Sequence, residues 1–195
     1  MSFGTILAYK RKHSGRNGFL AIVRQFGEAG ITLTNPGNSA VFLRDIFGEE
    51  VLSSQEELER IFDRSVGNDY VYQWWLDERT SLLAQVRWAG YYEYLEFYPD
   101  GLLAEEVALV ERAIVGLIDV LPDLIAVVVD LRGRCEDVDF GDVFSRPDRL
   151  PEVRPDRIYV PENEASSLYT FRNLEPVKIQ PGLRIYSAES AYRKS

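Results

Sequence analysis

The sequence predicts an α+β fold: an antiparallel, aromatic-rich β-meander packed on a long central helix, with additional short strands at both ends. Three observations carry this expectation. Ten of the 24 aromatic residues fall between Tyr70 and Tyr98. A run with helical spacing follows them, and after it a short stretch, Leu124 to Val129, is wholly apolar.

Up to about residue 45 the chain alternates apolar runs with turn-forming stretches. Thr5 to Tyr9, Phe19 to Val23, Ile31 to Leu33 and Ala40 to Leu43 are the runs. His13 to Gly18 and Asn35 to Asn38 are the turns. This pattern predicts short strands joined by loops. Ser54-Gln-Glu-Glu57 matches a capping box, and Leu58, Ile61 and Phe62 follow at helical spacing, so a short helix is expected from about 55 to 65.

The aromatic segment reads as three antiparallel strands, with Asp77 to Thr80 and Ala89-Gly90 as turns, because aromatic side chains suit a pleated, half-buried surface. With Ala89-Gly90 as a two-residue turn and Trp75 opposite Leu82, one face carries Val71, Gln73, Trp75, Leu82, Ala84, Val86, Trp88, Tyr91, Glu93, Leu95 and Phe97. That apolar face is assigned to the core, beneath the helix. The other carries Tyr70, Tyr72, Trp74, Leu83, Gln85, Arg87, Tyr92, Tyr94 and Glu96. Tyrosine, tryptophan and arginine are the residues enriched at interface hot spots. Tyr70, Tyr72, Trp74, Arg87, Tyr92, Tyr94 and Glu96 are therefore the candidate partner-binding residues. A one-residue change of register exchanges the two faces.

Pro99-Asp-Gly101 ends the meander, and Leu103, Val107, Val110, Ile114, Leu117 and Leu121 mark one face of a helix to about Val120. Pro122 stops it, and Leu124 to Asp130 reads as a fully buried strand. Beyond it the chain changes character: Pro147, Pro151, Pro155 and Pro161 punctuate it, and Arg-Pro-Asp-Arg occurs at 146–149 and 154–157. Short strands are expected around Ile158 to Val160, Leu168 to Phe171, Val177 to Ile179 and Leu183 to Tyr186. This organisation divides the chain into a main α+β core, residues 1–135, and a proline-rich segment with short strands, residues 136–195, packed on the same core.

The charge is unevenly spread. No acidic residue precedes Glu28, whereas from Asp45 to Asp123 there are 18 acidic residues and five arginines, a local net charge of −13 within a chain of −9. Such a field repels phosphate backbones and attracts basic surfaces, so no duplex nucleic acid is expected as a partner. The longest apolar stretch is far shorter than the roughly 20 residues that span a bilayer, so no membrane insertion is expected either. A single cysteine, Cys135, excludes an intrachain disulfide framework, and with no secretory signal pattern the expected location is cytoplasmic.

Chemistry is sparsely signalled. His13 is the only histidine and reads as an exposed loop residue. Glu136-Asp-Val-Asp-Phe-Gly-Asp142 gathers four carboxylates, but Gly141 sits one position early for a calcium loop, so a solvated acidic loop is expected. No phosphate-binding glycine loop, zinc-protease helix or nucleophile elbow occurs. No catalytic residue, metal site or cofactor is assigned. The acidic segment Tyr91-Tyr-Glu-Tyr-Leu-Glu-Phe-Tyr-Pro-Asp100 and the helix after it resemble, in type, bacterial immunity proteins of polymorphic toxin systems. The resemblance covers about 30 residues and matches no family motif. It implies a non-catalytic protein that neutralises a toxin by high-affinity binding, the toxin often a basic nuclease or an NAD-consuming enzyme. The alternatives are a structural or assembly component, or a carboxylate-dependent enzyme using residues 136–142.

Overall fold

The computed structural model describes residues 4–13, 15–45, 47–64, 71–89, 92–135, 137–145, 155–172 and 174–187. Ten strands form one open sheet. They are β1 (Thr5–Lys10), β2 (Val41–Arg44), β3 (Glu50–Ser53), β4 (Val71–Trp75), β5 (Ser81–Ala89), β6 (Tyr92–Tyr98), β7 (Leu124–Asp130), β8 (Arg157–Pro161), β9 (Lys178–Gln180) and β10 (Leu183–Tyr186). Their order is β3-β2-β4-β5-β6-β1-β7-β8-β10-β9, and every adjacent pair is antiparallel.

Both faces of the central strands are covered, and the pleat sorts their side chains between two cores. Ile6 and Ala8 of β1 and Val127 and Val129 of β7 enter the first core; Leu7, Tyr9, Ile125 and Val128 enter the second. That two-sided burial is why β7 is an unbroken apolar run. The first core is roofed by three helices, α1 (Gly15–Glu28), α2 (Gln55–Arg64) and α3 (Ala104–Val120), through Phe19, Ile22 and Phe26, Leu58 and Phe62, and Val110, Ile114 and Leu117. The anticipated long helix is therefore α3, but it shares the roof with two others instead of standing alone at the centre.

The second core is closed by α4 (Phe140–Ser145), α5 (Glu162–Ala165) and a 3-10 turn at Tyr169–Phe171, which supply Phe140, Phe144, Ala165 and Phe171. β8, β10 and β9 continue the main sheet beyond β7, so the segment after residue 135 belongs to the same sheet and builds its opposite face. Glu111 of α3 ties the parts together. Its carboxylate accepts hydrogen bonds from Arg157 at 2.9 and 2.7 Å and from the Tyr159 hydroxyl at 2.6 Å.

Two expected strands are helical. Phe19 to Val23 lies within α1, because Phe19, Ile22 and Phe26 recur at helical spacing and bury one stripe against the sheet. Leu168 leads into the 3-10 turn, Tyr169–Phe171, and Leu168 and Phe171 are buried in the second core instead of extending the sheet. The predicted helix at 55–65 is present as α2, and Ser54 Oγ accepts the Glu57 amide at 3.1 Å as the capping box requires. β3 was not anticipated.

Candidate functional site

The candidate face of the meander divides in the structure. β5 and β6 pair as Val86 with Leu95 and Ala84 with Phe97, which keeps the expected parity: Leu82, Ala84, Val86, Leu95 and Phe97 are in the first core. β4 is displaced by one residue. Trp74, not Trp75, lies opposite Leu82, and Tyr72 lies opposite Ala84. Tyr72 and Trp74 are thus core residues, 2% and 3% exposed, with Tyr72 against Phe62 and Trp74 against Phe26. They are not part of an open surface, and the assignment of these two as partner-binding residues is corrected. Val71, Gln73 and Trp75 take the opposite face.

The cause is local. Asp77 Oδ1 accepts the amides of Arg79 and Thr80, both at 2.7 Å, and its Oδ2 accepts the Thr80 hydroxyl at 3.0 Å. The Leu76 amide then donates to the Thr80 carbonyl at 2.9 Å, closing the loop one residue earlier than the sequence suggests. An odd shift inverts a whole strand.

The remaining candidates stay on the far face. Tyr94 stacks on Tyr9 with ring centroids 4.9 Å apart, and Tyr92 meets Phe144 edge-on at 6.4 Å, so both serve the second core. Arg87 and Glu96 form an ion pair at 2.8 Å beside them, with Arg87 half-exposed. Tyr70 and Tyr91 lie outside the described residues, as does the side chain of Trp88.

A more accessible surface lies at the sheet edge. β3 is the terminal strand, and Glu50, Val51 and Leu52 are exposed. Asp45 Oδ1 accepts the amides of Phe47 and Glu49 at 2.9 and 3.0 Å, and Gly48 takes a positive φ of 82°, so a tight turn holds Phe47 outward. Phe47 is 81% and Leu52 71% exposed. Leu52 pairs with Phe42 on β2, whose ring lies 5.9 Å from that of Trp75. Glu49 and Glu50 lie between Phe47 and Leu52 along the chain, with Glu50 3.6 Å from Arg44. Charged residues in a run of turn signals concealed β3 from the sequence; Val51 and Leu52 are its apolar residues.

A second constellation was missed because it is assembled from distant segments. Lys10 and Glu93 face each other across β1 and β6, on the side covered by the helices. Glu93 is 0% exposed; Lys10 Nζ lies 3.7 Å from its Oε1, and His13 Nδ1 lies 2.5 Å from its Oε2. Burial pushes the Lys10 ammonium below the ordinary lysine value, while Glu93 and Asp123 oppose that shift. His13 is therefore no free loop residue. Its signal in the sequence was Glu93 itself, a carboxylate in an otherwise apolar row.

The acidic loop is partly accounted for by capping. Asp139 Oδ1 accepts the Asp142 amide at 3.2 Å at the start of α4, and no group of three or more metal-ligating side chains occurs among the described residues. Glu136 lies outside them. Cys135 is buried, with its amide donating to Asp130 Oδ2 at 2.7 Å; burial, then Asp130 and Asp156, push its thiol up to about 12. A neutral thiol is a poor nucleophile. Among the described residues no helix is long and apolar enough to cross a membrane. No protein-family model matches the chain, and no curated protein matches it either.

Proposed function

We propose that this chain is a non-catalytic binding protein that neutralises or inhibits a basic protein partner, in the manner of an immunity protein. The docking surface is the β3 edge. The single observation that carries this reading is an edge strand that has no outer neighbour among the described residues and carries exposed Leu52, with exposed Phe47 and the carboxylates Glu49 and Glu50 in the chain just before Val51. An exposed apolar edge is an aggregation hazard unless something pairs with it. A strand from a partner supplies main-chain hydrogen bonds there, and basic side chains on that partner meet Glu49 and Glu50.

Photo-crosslinking from position 52 in the native host, with position 103 as a remote control, identifies the partner. The purified pair then decides the matter. Phe47→Ser with Leu52→Ser weakens binding by more than about 2 kcal/mol and leaves unfolding free energy nearly unchanged, and added salt slows association. Unaltered affinity in that double variant rules the edge out, and a partner that keeps its activity in the complex rules out inhibition.

One observation favours a second reading, assembly from copies of this chain. The opposite edge, β9, exposes Ile179 and carries Lys178, complementary to the acidic β3 edge. Head-to-tail pairing of unlike edges makes rings or filaments. Light scattering separates the readings: a monomer over the micromolar range excludes assembly.

A further inference from the structure

Backbone hydrogen bonding decides which residues of β3 turn away from the sheet. At the entry to β3 the Asp45 amide donates to the Glu49 carbonyl at 3.1 Å. In an antiparallel ladder, pairs that exchange backbone hydrogen bonds alternate with pairs that do not. Leu43 with Val51 and Val41 with Ser53 are therefore the bonded pairs, and Arg44 with Glu50 and Phe42 with Leu52 the unbonded ones. β4 gives the same phase independently. Trp75 and Thr32 exchange bonds of 2.9 and 2.7 Å on the side of β4 away from β5, so Val71, of the same parity, also turns that way, towards its partner Arg44. Arg44 thus directs its backbone groups to β4, not to β3. The N–H and C=O groups of Glu50 and Leu52 consequently point outward from the sheet edge. Both residues are exposed, and β3 has no outer neighbour among the described residues. Their side chains share the face of Arg44 and Phe42, opposite the one on which Leu43 is buried.

We propose that β3 selects an extended partner segment in antiparallel register, with an apolar residue opposite Leu52 and, two positions later, a basic residue opposite Glu50. This rests on the reading of the β3 edge as the docking surface and names what that edge recognises. β2 pairs antiparallel with both of its neighbours, so an added strand continues the same ladder. Partner residues opposite Glu50 and Leu52 bond the outward backbone groups and place their own side chains on the same face as those two. Leu52 gives the apolar one its contact, with Phe42 next in that row. Arg44 occupies one flank of Glu50 at 3.6 Å. The hairpin from Val41 to Ser53 nevertheless carries Asp45, Glu49 and Glu50 against Arg44 alone, a net charge of −2. A basic residue across the edge from Glu50 lowers that charge, whereas an acidic one raises it.

NMR titration of the full chain with three end-capped peptides tests the proposal: Thr-Ile-Thr-Lys-Thr, its counterpart Thr-Ile-Thr-Glu-Thr, and the reversed order Thr-Lys-Thr-Ile-Thr. The first binds at least about threefold more tightly than either of the others. It slows hydrogen exchange of the Glu50 and Leu52 amides and leaves those of Val51 and Ser53 near their starting rates. Leu52→Pro removes an outward amide without breaking a bond to β2, a position where a strand tolerates proline, so the variant keeps the parent's fold and loses the peptide. The peptide series on the unaltered chain decides the matter if that variant folds poorly. The proposal is overturned if no peptide binds up to about 10 mM, if the lysine and glutamate peptides bind alike, or if protection falls on Val51 instead of Leu52. Protection of the Glu50 and Leu52 amides that grows with protein concentration alone makes a second copy the occupant and also overturns it. Any of these results leaves the docking surface standing if Phe47→Ser with Leu52→Ser still weakens binding of the native partner; unaltered affinity there removes the surface itself.

Discussion

Glu93 shows how one side chain can decide the energetics of a sheet end. It is fully buried in a row of apolar residues, and its two oxygens face a lysine and the only histidine. Removing one member of a buried pair strands the other's charge, at a cost of about 3 to 5 kcal/mol. Glu93→Ala and Lys10→Met should each lower the unfolding free energy measured in urea by that order. The double variant Lys10→Met/Glu93→Leu should recover most of the loss, because apolar side chains replace a buried pair at little cost. Strictly additive losses would falsify the coupling. Trp74 and Trp75 make a second comparison between neighbours. Trp74→Ala removes a ring from the first core and costs about 3 to 5 kcal/mol, whereas Trp75→Ala at the half-buried position costs clearly less. In single-tryptophan variants, acrylamide should quench Trp75 more readily than Trp74; the opposite order would restore the register first expected.

At the scale of elements, the β4–β5 hairpin depends on Asp77. Hydrogen bonds from the Arg79 amide, then the Thr80 amide and hydroxyl, hold its carboxyl below the ordinary aspartate value of 3.8. A carboxylate whose folded pKa is depressed contributes stability that is present above its unfolded pKa and lost as pH falls through the folded one. The stability difference between the parent and Asp77→Asn should accordingly stay constant from about pH 5 to 8 and shrink below about pH 4. Denaturant unfolding across that range measures it, and a gap that widens on acidification contradicts the assignment. α1 shows a different competition. Glycines and polar residues around His13 to Gly18 look like turn, yet the stripe of Phe19, Ile22 and Phe26 wins, because burying it against the sheet outweighs weak local propensity.

For the whole molecule, the continuity of the sheet across residue 135 predicts cooperative unfolding. β8 pairs with β7, Glu111 reaches Arg157 and Tyr159, and Arg11 of the loop after β1 forms a 2.6 Å ion pair with Glu164 of α5. Calorimetry should give one transition for the full chain. A chain ending at residue 145 loses β8, β9 and β10 and uncovers both the β7 edge and half of the second core, so that transition should disappear. Two resolved transitions, or a truncated chain that melts like the parent, would show that the parts are independent.

The sequence by itself determined the elements whose signals are local: β1, β7, the α2 cap, α3 and its proline stop, and the parity of β5 against β6. Hydrophobic period, capping and turn chemistry act over a few residues and read directly. Only the tertiary structure decided which face β4 shows, because three hydrogen bonds to Asp77 shorten a loop by one residue and exchange Trp74 with Trp75. It alone also joined the last strands to the main sheet and brought Lys10, His13 and Glu93 together. The first rests on pairing of Val128 with Ile158, 30 positions apart, and the second on contacts across 80, which no local pattern encodes.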